Sequence, residues 1–233
     1  MNNGIYFDKF NSSLPSDFQQ ICHLELNRDT KKDIANIIKK IEEDALNSYE
    51  KGKILEDLIE KILLGTRIFK CIKNKHTQSN EFDILVYLNV NGRILRSRNI
   101  IPEWIPNLFL IECKNHKEPV EVGLVGKFYS LMDVSKINLG IFISRVGISG
   151  RGNAHWADAA AFVNKINLKY SESKPPRILL DLDLNEIKLV LEDDTNIIEI
   201  FENKKTQIDM DINSGILEWK KPHENEGKLN IQP

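Results

Sequence analysis

Along the chain the spacing of apolar residues changes period several times, and each change marks an element. Between Thr30 and Asn47, Ile34, Ile37, Ile38 and Ile41 recur at helical spacing, with Asp29 or Thr30 placed to cap the start. A second helix is predicted from Lys51 to Leu64. Leu55, Leu58, Ile59, Ile62 and Leu63 form its buried stripe, and Gly65 is a natural stop. The period then shortens to two. Arg67–Lys73 and Glu81–Leu88 alternate as strands, and Asn91-Gly92 has the signature of a hairpin turn, which makes ILRSRNI a return strand. Pro102 and Pro106 interrupt the pattern. Leu108–Cys113 is a nearly continuous apolar run, the mark of a strand buried on both faces. A helix over Pro119–Lys136 would turn Val122, Val125, Phe128, Tyr129 and Met132 inward. It precedes a buried strand at Leu139–Ser144, an Ala-rich helix at Asn153–Lys165 and a last core strand at Ile178–Leu182.

The order α-β-β-β-α-β-α-β predicts an α/β fold with a central mixed sheet flanked by helices. Residues 1–20 have few periodic apolar positions and read as an irregular arm. The stretch from about Asn185 is acidic and helical at first. The chain thus divides into an N-terminal arm and helix (1–48), a core (49–182) and an acidic C-terminal extension (183–233).

Composition adds little until it is taken by segment. The 233 residues carry a formal net charge of −2, which by itself argues against a nucleic-acid binder. Residues 49–180, however, hold 20 Lys/Arg against 13 Asp/Glu, whereas residues 181–233 hold 6 against 13. A basic middle of this kind supplies the attraction for phosphate that nucleic-acid binding needs. The alternative is an ordinary fluctuation of charge along the chain. The N-terminus lacks a basic region followed by an apolar run, and no apolar stretch approaches the ~20 residues that span a bilayer. Cys22, Cys71 and Cys113 have no metal-ligand spacing and read as reduced thiols. A cytoplasmic protein without membrane contact is expected.

The candidate chemistry lies at the end of the strand LFLIEC. Glu112-Cys113-Lys114 is one of six Glu-x-Lys tripeptides, the others starting at Glu172, Glu186, Glu202, Glu218 and Glu226, but only Glu112 ends a buried apolar strand. Strand periodicity puts Glu112 and Lys114 on one face and Cys113, read as core packing, on the other. Charges at such a place cost desolvation free energy unless they are paired or bind a ligand. An intra-strand salt bridge and a ligand site explain the pair equally well. Asp83 adds weight to the site, because Asp is a poor strand former yet sits inside the apolar strand EFDIL. Two carboxylates and an ammonium converging at a sheet edge suit Mg²⁺, which prefers oxygen ligands; the alternative is that Asp83 only pairs with Lys114. Glu56 lies at the edge of the second helix's apolar stripe, the best placed of its acids to reach back over the sheet, while Asp57 points away. A solvated helix Glu is the plainer reading.

Gly52-x-x-x-Glu56, Asp83 and Glu112-x-Lys114, in the order helix, strand, strand, resemble the PD-(D/E)xK nuclease superfamily. FLIECKN, the helix with VGLVGKFYSLM, and GIFISRVGISG before an Ala-rich helix resemble its Mrr-type restriction endonuclease catalytic domain, over roughly residues 50–182. Two departures stand out: a Phe-Asp-Ile context for Asp83 in place of Pro-Asp, and Lys127 where many relatives have a nearby Gln. The resemblance implies a restriction-endonuclease-like core. It further implies catalytic Glu56, Asp83, Glu112 and Lys114, with Mg²⁺ (Mn²⁺ as substitute) held by Asp83, Glu112, the Cys113 main-chain carbonyl and Glu56. Lys114 would orient or deprotonate a water and stabilise the phosphorane charge, aided by a pKa that the metal and burial can depress, and hydrolysis would leave a 5′-phosphate and a 3′-hydroxyl. The implied partner is double-stranded DNA, cut by a homodimer in restriction or phage defence, with a partner subunit of a defence system as a further option. A junction-specific nuclease and a non-cleaving nucleic-acid- or protein-binding module on the same fold are the alternatives.

The remaining candidates carry less. His76, His116 and His155 have no spacing that names a partner, although His116 could touch a phosphate. Gly147–Gly152 lacks the Lys-Ser/Thr of a P-loop and reads as a turn, with Arg145 and Arg151 free to contact a nucleic-acid backbone. Arg93, Arg96 and Arg98 on the return strand would form either a DNA-contacting ribbon or a solvated face.

Overall fold

In the computed structural model, residues 24–43, 48–76, 81–151, 158–192 and 195–210 are described. The N-terminal arm, Cys22, His155 and the chain beyond residue 210 lie outside them, as does the side chain of His76. Helices α1 (Arg28–Glu43) and α2 (Ser48–Gly65) lead into strands β1 (Phe69–His76) and β2 (Glu81–Leu88). Helix α3 (Val90–Ser97), β3 (Leu108–Lys114), α4 (Val122–Val134), β4 (Leu139–Ser144), α5 (Ala159–Tyr170) and β5 (Ile178–Asp183) follow. The short α6 (Leu184–Lys188), a 3₁₀ turn (Leu189–Leu191) and α7 (Ile197–Asp209) complete the described order.

The five strands form one sheet in the order β1-β2-β3-β4-β5. The first two junctions are antiparallel and the last two parallel. This is the expected α/β architecture, a mixed sheet between helices. One face carries Ile84, Phe109, Ile111, Ile141 and Leu180 against α1 and α2, through Ile34, Ile38, Leu55 and Ile59. The other carries Leu110, Phe142 and Leu179 against α4 and α5, through Val125, Phe128, Met132 and Val163. Val122, expected inward, is partly exposed at the first turn of α4. The described parts of both flanking segments share the first core: Ile34 and Ile41 from α1, and Leu184, Ile187, Ile197, Ile198 and Phe201 from the C-terminal segment, are buried in it.

The expected return strand is a helix instead. Asn89 caps α3, its side-chain oxygen accepting from Gly92 N at 3.1 Å. A Cβ on Gly92 would lie 2.6 Å from the Ile68 carbonyl oxygen, so the glycine serves close approach of helix to sheet rather than a hairpin turn. Arg93, Arg96 and Arg98 therefore line no ribbon; Arg93 and Arg96 donate to the Leu88 and Ile105 carbonyls at 2.8 and 3.2 Å. The cap of α1 is also displaced, since Asn27 Oδ1 accepts from Thr30 N at 2.8 Å in place of a cap from Asp29 or Thr30.

Helix α4 lies unusually close to β4. A Cβ on Gly140 would meet Met132 Sδ at 2.2 Å and Phe128 Cε1 at 2.9 Å, and both side chains are buried. Gly140→Ala is therefore expected to cost about 1–3 kcal/mol through overpacking. Urea unfolding checks this: the midpoint should fall while the slope holds.

Candidate active site where β2 and β3 end

The register of β2 against β3 sets Ile84 opposite Ile111 and Leu85 opposite Leu110. One step further the ladder stops, and Asp83 takes over from the main chain: its Oδ2 accepts from Cys113 N at 2.8 Å. Glu112 and Lys114 share the sheet face of Leu110, and Cys113 turns into the opposite core, as the alternation requires. The Lys114 ammonium lies 2.5 Å from Glu112 Oε1, 3.4 Å from Asp83 Oδ2 and 3.3 Å from the Cys113 carbonyl oxygen. An ammonium has three donors. Each of them has an acceptor here.

Glu56 joins from α2. Its Oε2 is buried without a hydrogen-bond partner. Burial, and next the Asp83 charge, push its carboxyl up to about 7. Glu112 is likewise raised, by burial and by Asp83, against the opposing charges of Lys114 and Lys127. For Lys114, burial acts to lower the pKa, but Glu112 and Asp83 together outweigh it, and the net displacement is upward. In the metal-free chain the two carboxylates thus favour the charged ammonium. Cys113 is buried and its thiol is driven well above the ordinary range, so it is no nucleophile. Asp57 points away from the cluster and, with Glu60, holds Lys73 of β1.

Asp83, Glu112 and Lys114 are therefore brought together, and Glu56 stands close enough for its charge and those of Asp83 and Lys114 to act on one another. Among the described residues no group of three or more His, Cys, Asp or Glu side chains is gathered as a metal cage. The candidate donors instead combine two carboxylates with the Cys113 carbonyl, and Glu56 beside them. Three carboxylates stand against one ammonium, and burial first, then the Asp83 charge, raises the pKa of Glu56 and of Glu112. A hard divalent cation with oxygen preference fits such a set.

Two further polar residues border the site and escaped the sequence reading. Asn115 donates from Nδ2 to the Lys51 carbonyl at 2.8 Å, tying the start of α2 to the end of β3, while its Oδ1 is buried without a partner. Ser144 ends β4 beside Lys114, and its Oγ is also buried and unpartnered. The available signal was a hydroxyl closing the otherwise apolar strand LGIFIS.

Arg151 departs from expectation. It is not free for a phosphate backbone: its guanidinium binds Asp181, Asp183 and Glu186. Lys204 of α7 joins the same cluster, 2.9 Å from Glu186 Oε1 and 3.7 Å from Asp181 Oδ2. Buried carboxylates on β5 require such compensation. Arg145 is not free either, its guanidinium lying 3.4 Å from the Glu42 carbonyl oxygen. His116 is exposed after β3.

The raised pKa of Glu56 has a consequence for stability. A carboxyl at about 7 in the fold, against an ordinary 4.5, favours the folded state most when protonated. That contribution is complete below about 4.5 and is lost as the pH rises to about 7. In chelator, Glu56→Gln should therefore gain melting temperature over the wild type progressively between pH 5 and pH 8. Thermal unfolding at several pH values reads this directly, and a constant difference would show that Glu56 is not crowded as described.

Comparison with protein-family models, with curated proteins and with solved structures gave no match.

Proposed function

We propose that the protein is a metal-dependent nuclease that hydrolyses phosphodiester bonds of DNA, with Asp83, Glu112 and Lys114 at its centre and Glu56 in support. The observation that carries this reading is the convergence of Asp83, Glu112 and the Lys114 ammonium at the point where β2 and β3 part. A structural ion pair would need one carboxylate. Here a second lies within reach of the ammonium and a third presses on the cluster with a buried, unpartnered oxygen. Such a surplus is costly in a fold and useful in a cation site.

Bound by Asp83, Glu112, the Cys113 carbonyl and Glu56, Mg²⁺ or Mn²⁺ would supply charge neutralisation at the scissile phosphate and acidify a water. The chain's own groups do the rest. Asp83 is oriented by Cys113 N–H, so its second oxygen is presented in a fixed direction. Lys114, carried on the same strand end as Glu112, is suited to neutralise the developing phosphorane charge. Lys127 on α4 is exposed, and its charge already acts on Glu112, so it adds positive potential for an incoming phosphate. The products would be a 5′-phosphate and a 3′-hydroxyl. A homodimer would place two such centres for cutting both strands of a duplex. Among the described residues no helix is long and apolar enough to cross a membrane.

Supercoiled plasmid incubated with the protein and Mg²⁺ or Mn²⁺ should be nicked or linearised. Lys114→Ala and Asp83→Ala should each lose roughly 100-fold or more, the scale of removing one group that stabilises transition-state charge. Wild-type protein inert under both metals, or variants as active as wild type, would overturn the assignment.

A further inference from the structure

The Lys114 ammonium occupies the very atoms that a cation would need. Its three contacts are Glu112 Oε1, Asp83 Oδ2 and the Cys113 carbonyl oxygen, all at 3.4 Å or less. Any divalent ion that takes those oxygens must displace the ammonium, and the ammonium, still charged, then needs another acceptor. The contacts it would give up belong to β2 and to β3 itself. On the other side of Lys114 stands β4, whose Ser144 is its register partner in the parallel ladder. Partners in adjacent strands share a sheet face and are separated by about 5 Å, well within the reach of a lysine side chain.

Ser144 is 1% exposed, and its Oγ has no hydrogen-bond partner. A buried hydroxyl left without a bond is destabilising and calls for an explanation. Buried at the end of β4, the hydroxyl is surrounded by side chains rather than open to solvent. Its other register partner, Asp183, is already committed, its carboxylate binding Arg151 and capping α6 at Glu186 N. Ser144 and Asn115, two of the three buried unpartnered side-chain atoms among the described residues, flank Lys114 on adjacent strand ends, and the third belongs to Glu56.

Building on the metal-dependent reading, we infer that Ser144 is a positioning residue: its hydroxyl receives the Lys114 ammonium when a divalent cation takes Asp83 and Glu112. Lys114 thus has two stations. In the metal-free chain it neutralises the carboxylates from the β2 side; with the cation bound it is held from the β4 side, on the sheet face that the substrate phosphate meets.

Mn²⁺ titration of the full chain by calorimetry, with the metal-free melting temperature measured in parallel, tests this without reference to cleavage. Ser144→Ala should weaken Mn²⁺ binding about tenfold, the scale of one hydrogen bond to a charged group. Its metal-free melting temperature should be no lower than that of the wild type, since the hydroxyl makes no bond there. Ser144→Thr, which keeps the hydroxyl, should retain wild-type affinity. In a Lys114→Met background, adding Ser144→Ala should change nothing, because the group that Ser144 serves is gone. Equal Mn²⁺ affinity in wild type and Ser144→Ala would overturn the inference and leave the nuclease reading standing, as would an equal loss in the Lys114→Met background. A wild-type chain that binds no Mn²⁺ would overturn both.

Discussion

The hydrogen bond from Cys113 N–H to the Asp83 carboxylate is the contact on which the site depends. A main-chain donor at the end of a buried strand needs an acceptor, and the neighbouring strand has already begun to diverge. A side chain fills the role of the missing carbonyl. In doing so Asp83 is fixed beside Glu112, and the two negative charges draw the Lys114 ammonium between them. The geometry of the site is thus a by-product of how the sheet closes its last rung. Apolar residues on either side, Ile84 and Ile111 below and Phe142 across, hold that rung in a poorly solvated place, which is why each charge there feels the others so strongly.

Much of this was legible before the fold was known, for reasons specific to each element. The strands at Leu139–Ser144 and Glu81–Leu88 coincide with their apolar runs because burial on one or both faces leaves no freedom in the pattern. Asp83 and Glu112 could be picked out since a charge embedded in such a run has few cheap explanations. The helix α3 could not be read. Asn-Gly serves equally as a turn with positive φ and as a cap followed by a residue without a side chain, and only the proximity of the Ile68 carbonyl decides between them. Arg151 was misjudged for a related reason: its acidic partners lie 30 to 35 residues further on, in β5 and α6, and sequence spacing does not show that they meet. Ser144 left only a faint mark, a hydroxyl closing an apolar strand, because its interest lies in a bond it does not make.

Charge by segment was a coarser guide than charge by neighbour. The basic middle and the acidic end are real properties of the sequence, yet part of the basic surplus is spent inside the molecule. Arg151 serves β5 and α6, and Lys73 serves Asp57 and Glu60. The cations left to act outward are fewer than the count suggests, and Lys127 matters because its charge is felt at Glu112.

Lys204 also bears on how the molecule comes into being. The carboxylate of Asp181 is buried in the fifth strand, and part of its compensation stands 23 residues later in the chain. During synthesis from the N-terminus, the sheet can gather its strands before α7 has emerged, but the acidic edge of β5 then remains short of one positive charge. The acidic cluster of β5 and α6 therefore completes its charge balance only once α7 has docked.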